Sequence, residues 1–134
     1  MDLDATTPAR LRSLVQELLA DCEELSTADA VQITDELASN ALRHAAAPRT
    51  CTIILSDGPR LRIEVADASP IDPRFRSPDA TGGLGLVLVA QMSSAWGVIH
   101  HGDRKIVWAE LTAEQRGNGP PSLCTELHST PRIN

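Results

Sequence analysis

Between Pro8 and Glu24 the apolar residues Leu11, Leu14, Val15, Leu18, Leu19 and Cys22 recur in the i, i+3, i+4, i+7 rhythm of one helical face. Thr7-Pro8 supplies that helix with a capping hydroxyl and a first-turn proline. A second helix is predicted from Ser26, whose hydroxyl can accept from the amides near Asp29. It runs through Ala30, Thr34, Leu37, Ala38, Ala41 and Ala45 until Pro48 stops it. The period then changes to two. Cys51, Ile53 and Leu55 face one way, Ser56-Asp57-Gly58-Pro59 turns, and Leu61, Ile63 and Val65 alternate with Arg60, Arg62 and Glu64. That pattern predicts a β-hairpin with one wet face.

Ala68 to Gly83 has little periodicity and carries Pro70, Pro73, Pro78, Gly82 and Gly83. A connection of that length is more often a lid or binding loop than a plain connector. Leu84 to Ser94 is apolar nearly all round and predicts a short helix packed on more than one side. A second hairpin follows, with Trp96 to His101, a turn at Gly102-Asp103, and Arg104 to Leu111. The polar remainder, with Gly117, Gly119, Pro120, Pro121 and Pro131, reads as a tail over residues 113–134 behind a domain of residues 1–112. Two helices before an antiparallel sheet, and a third between its hairpins, give an α+β two-layer sandwich with helices on one sheet face.

Composition narrows the functional classes. The chain has 134 residues, enough for one domain with a core. Its aromatic residues are Trp96, Trp108 and Phe75, too few to stack single-stranded bases. Twelve Lys plus Arg against 18 Asp plus Glu leave a net charge of −6, which disfavours direct contact with nucleic acid or an anionic membrane. The longest apolar run, Leu84 to Ala90, is too short to span a bilayer, and the acidic start lacks the marks of a signal peptide, so a cytoplasmic location is the expectation. Cys22, Cys51 and Cys124 are widely spaced without a CxxC pair and read as reduced thiols.

Candidate chemistry gathers at three places. Glu36, Asn40 and His44, four residues apart, form one stripe on the second helix, offset from Leu37, Ala41 and Ala45. A carboxylate there can accept a proton, and a carboxamide oxygen suits a hard cation such as Mg²⁺; the same stripe also fits a solvated helix flank. Asp67 closes an alternating strand where a loop begins, an acceptor position for an exocyclic amine. Gly82-Gly83-Leu84-Gly85-Leu86 precedes a helix start. Such glycines let amides approach phosphate, although they equally serve a flexible turn.

Together these segments resemble the GHKL ATPases and kinases, whose Bergerat fold implies helices on one face of a mixed, mainly antiparallel sheet. The run from Glu36 to Ala45 is similar to the N box, Asp67 to the aspartate of the first glycine box, and Gly83-Leu84-Gly85-Leu86 to the second glycine box. The short length, the missing histidine phospho-acceptor helix and the ending from Ala95 to Leu111 look most like anti-sigma factor serine/threonine kinases. The resemblance spans roughly residues 8–112. It implies ATP and Mg²⁺ as cofactors, Asn40 as metal ligand, Glu36 as general base, Asp67 as adenine acceptor, and Gly82, Gly83, Leu84 and Gly85 as the phosphate turn. His44 would be a structural helix-end residue. It also implies a sigma factor and a STAS-type anti-sigma factor antagonist as partners, and a homodimer.

Two departures stand out: the first box carries Ser69 and Ile71 where the family has glycines, and Ile106 stands where a threonine is frequent. Three readings remain open at this point. One is a kinase of a partner-switching circuit, one a regulator that binds ATP, or nothing, and acts by contact, and one a detached ATP-binding domain of a histidine kinase.

Overall fold

A computed structural model describes residues 1–69 and 84–113. A single 3-10 turn at Leu3–Ala5 leads into helices α1 (Pro8–Leu18) and α2 (Thr27–His44), then strands β1 (Thr50–Ser56) and β2 (Arg60–Asp67). Helix α3 (Leu84–Met92) and strands β3 (Ala95–His101) and β4 (Arg104–Thr112) complete the order predicted from the sequence. The 70–83 part of the expected lid-like loop, the glycines Gly82 and Gly83, Cys124 and the tail beyond Ala113 lie outside the described residues.

Both long helices begin where their caps place them. The Thr7 hydroxyl accepts from the Arg10 amide at 3.1 Å, and Ser26 Oγ accepts from the Asp29 amide at 3.1 Å. Ser26→Ala is expected to cost about 1 kcal/mol through the lost cap, read as a lower midpoint in thermal unfolding. The first helix is shorter than its periodicity predicts, stopping at Leu18 rather than Glu24. Asp21, Glu23 and Glu24 would oppose the negative end of the helix dipole. The chain leaves instead through a turn in which the Cys22 amide donates to Leu19 O at 3.0 Å. Leu19 and Leu25 stay buried, so the apolar rhythm outlasts the helix.

The sheet order is β1-β2-β4-β3, with every described pairing antiparallel. The expected mixed sheet therefore has no parallel pair among the described residues. The outer pairs are hairpins, the second turning at Gly102 with φ of +69°, a left-handed conformation that glycine adopts without strain. The N-terminus extends the sheet: Asp2 bridges Thr50, and the Met1 ammonium donates to Cys51 O at 3.0 Å.

Inward positions of the strands, Cys51, Leu61, Ile63, Val65, Val107, Ala109 and Leu111, meet Leu11, Val15, Ile33, Leu37, Ala41, Leu86 and Val89 from the helices in one core. Burial pushes the Cys51 thiol up to about 11, so it is a packed apolar group at neutral pH.

The outer sheet face is wet along β1, where Thr52, Ile54 and Ser56 are exposed, but it is closed around β4. Trp108 has 0% exposure there, and the Arg62 guanidinium lies 4.3 Å from its ring centroid. Arg62 is held by Glu64 at 2.6 Å and by Glu110 at 2.9 Å. The indole rests against Gly97, its direct neighbour on β3, where an added Cβ would come within 3.0 Å of the ring. Charged residues at these positions serve to cover an aromatic ring as well as to meet water.

Candidate functional site

The end of α2 and the end of β2 meet at one end of the domain. Helix α2 packs on α1 and α3, and the backbone leaving α2 is tied to the end of β2 by the Ala68 amide, which donates to Ala46 O at 3.0 Å. That link fixes Asp67 beside the C-terminal turns of α2. Arg49 reinforces the same corner by donating to the Leu42 and Ala45 carbonyls at 3.3 and 2.9 Å while pairing with Asp4 at 2.6 Å.

Glu36 and Asn40 are both half-buried on α2, one turn apart. Gln32 Nε2 donates to Glu36 Oε2 at 2.9 Å, which orients the carboxylate without neutralising it. Glu36 also lines a cleft of about 260 Å³ between α2 and the start of α1, together with Thr6, Thr7, Arg12, Asp35 and Ser39. Asn40 and Asp67 do not line that cleft. His44 is the exposed last residue of α2, a position where a cation complements the helix end. Leu84 and Gly85 form the first turn of α3, whose leading amides have no partner within the helix.

Asp67 is more enclosed than a strand-end residue ordinarily is, at 1% exposure. Its Oδ1 accepts from the Ser69 amide at 2.8 Å, and its Oδ2 lies 3.3 Å from Lys105 Nζ. Lys105 is the residue paired directly across from Asp67 in the β2–β4 ladder, and it too is buried. Sequence reasoning missed Lys105. The signal was its parity, because position 105 shares the inward side of β4 with Val107, Ala109 and Leu111.

A two-layer sandwich of three helices on a four-stranded antiparallel sheet, with β2 ending beside the end of α2, has the architecture of the GHKL ATPases. The sequence profile of the histidine kinase-like ATPase domain matches residues 2–111, and the chain belongs to that family. No curated protein matches the chain.

Solved structures with this fold include full-length ShkA in complex with AMPPNP, 25% identical with a TM-score of 0.54 over 79% of this chain and 30% of that one. The RsbU and RsbW domains of Rv1364c from Mycobacterium tuberculosis are 18% identical with a TM-score of 0.60, covering 84% of this chain and 30% of that one. The histidine kinase domain of the Erythrobacter litoralis EL346 blue-light activated histidine kinase is 19% identical with a TM-score of 0.54, covering 87% of this chain and 63% of that one. The chain thus spans under a third of the first two proteins and under two thirds of the third. Among the described residues no helix is long and apolar enough to cross a membrane.

Proposed function

We propose that this chain is an ATP-binding serine/threonine protein kinase of the anti-sigma factor type, which phosphorylates a STAS-type antagonist and sequesters a sigma factor in a cytoplasmic partner-switching circuit. The observation that carries the nucleotide reading is the corner where Asp67, closing β2, is tied by the Ala68 to Ala46 hydrogen bond to the helix that bears Glu36 and Asn40. Membership of the histidine kinase-like ATPase family supports the same reading, as does the AMPPNP complex of ShkA. The RsbW domain of Rv1364c supports the choice of circuit.

In this reading Asp67 accepts the base amine, and the amides of Gly82, Gly83, Leu84 and Gly85 meet the phosphates. Among the described residues no group of three or more His, Cys, Asp or Glu side chains could hold a metal by itself. One carboxamide oxygen at Asn40 fits Mg²⁺ nonetheless, since that ion keeps phosphate oxygens and water as most of its ligands. When bound, it neutralises charge on the triphosphate. Glu36, oriented by Gln32, takes the proton of the attacking hydroxyl, and its place on the cleft between α1 and α2 leaves an approach for that hydroxyl. Homodimerisation belongs to the same proposal.

A second reading, a nucleotide-binding regulator that acts by contact alone, is favoured by Ser69 in the altered first box and by the prior engagement of Asp67. Calorimetric titration with ATP and GTP, with and without Mg²⁺, tests the shared site. Saturable binding that prefers adenine and strengthens with Mg²⁺ is expected. No saturation at millimolar ATP would remove both the kinase and the nucleotide-dependent regulator.

A further inference from the structure

Lys105 is the single lysine of the chain; every other residue in the Lys plus Arg total of 12 is arginine. It stands at an inward strand position, with its side chain 5% exposed and that of its partner Asp67 2% exposed. The two oxygens of Asp67 are both engaged, Oδ1 by the Ser69 amide and Oδ2 by the Lys105 ammonium. A base amine that is to bind Asp67 therefore meets a carboxylate whose surface is already closed by an internal donor.

We propose that Lys105 is a built-in competitor for the base-binding carboxylate and sets the nucleotide affinity of this chain. The inference rests on the reading of Asp67 as base acceptor and extends it to regulation of that site. An ammonium presents only donors, as the exocyclic amine of a purine does toward a carboxylate, so it occupies Asp67 in the manner of a ligand. A charged donor holds a carboxylate more strongly than a neutral amine can. Entry of a nucleotide base then requires Nζ to move off Oδ2, and the cost of that movement is subtracted from the affinity. Inward placement of opposite charges on neighbouring strands also explains why an unpartnered carboxylate is not left in the core when no nucleotide is present.

Lys105→Met keeps an unbranched apolar stem and removes the ammonium. Calorimetry with Mg²⁺ and ATP should show the variant binding about tenfold or more tightly than wild type, since the buried ion pair no longer has to be displaced. Preference for ATP over GTP should persist. A folded Lys105→Met that binds ATP no better than a binding-competent wild type overturns this inference alone, and weaker binding would make Lys105 a direct reader of the base. If both folded proteins fail to bind any nucleotide, the base-acceptor reading falls and this inference with it.

Should the variant not fold, wild type decides the matter. Nitrogen-15 labelling of lysine gives one Nζ signal in the full chain, which saturating ATP is expected to shift and to open to faster proton exchange. A signal unchanged at saturation overturns the proposal.

Discussion

Asn40→Ala is expected to lose both ATP binding and phosphate transfer, whereas Glu36→Ala keeps ATP affinity within a few fold and loses transfer. The two residues are one helical turn apart on α2 and both half-buried, with Glu36 but not Asn40 lining the cleft between α1 and α2. Their chemistry separates them further. A carboxamide oxygen that ligates the metal acts on the bound ground state, and its removal weakens the complex before any reaction. A general base acts only as the hydroxyl proton leaves, and its loss costs about 10²- to 10⁴-fold in rate. The measurement pairs calorimetry with transfer of labelled phosphate from ATP to candidate antagonist proteins. If Glu36→Ala transfers as fast as wild type, the base is another group. A wild type that binds ATP and a candidate antagonist, yet labels none of them, selects the contact regulator over the kinase.

Trp108→Ala is expected to be the most damaging single change outside the core between sheet and helices, at about 3–5 kcal/mol, the range for emptying a buried aromatic site. The ring is fully buried and supports the stacked Arg62, which in turn joins Glu64 to Glu110. The indole also carries a cost, because Trp108 Nε1 and Arg62 Nη2 are buried donors without an acceptor among the described residues. Trp108→Phe therefore sheds one unsatisfied donor while keeping a ring under Arg62. It should lose clearly less than the alanine variant in chemical denaturation. Equal losses for the two variants would mean that the ring face contributes nothing beyond its volume.

The elements of the fold were readable because helix and strand periods seldom compete in this chain. Leu11 to Leu18 and Ala30 to Ala41 repeat at the helical spacing, Leu61 to Val65 at the strand spacing, and the structure keeps each. A candidate site could be proposed from the sequence only where a residue type carries its own chemistry. Asn40, Glu36 and Asp67 stand out for that reason, and the structure sets the Asp67 strand end against the end of α2.

What escaped was pairing across strands, since the register that puts Lys105 opposite Asp67 and Gly97 opposite Trp108 is fixed by sheet order and not by neighbours in the chain. Alternation alone assigned Arg62 and Glu64 to water. It says nothing of an indole on the next strand that needs cover.

The sheet order also shapes how the molecule assembles in time. Each outer ladder joins strands separated by a short turn, whereas the central β2–β4 ladder unites residues from opposite halves of the sequence. Hairpins of the first kind form within microseconds, while a distant pairing waits on the closure of a long stretch of chain. Asp67 and Lys105 sit in that long-range ladder, so their ion pair closes only when the two halves of the chain have come together.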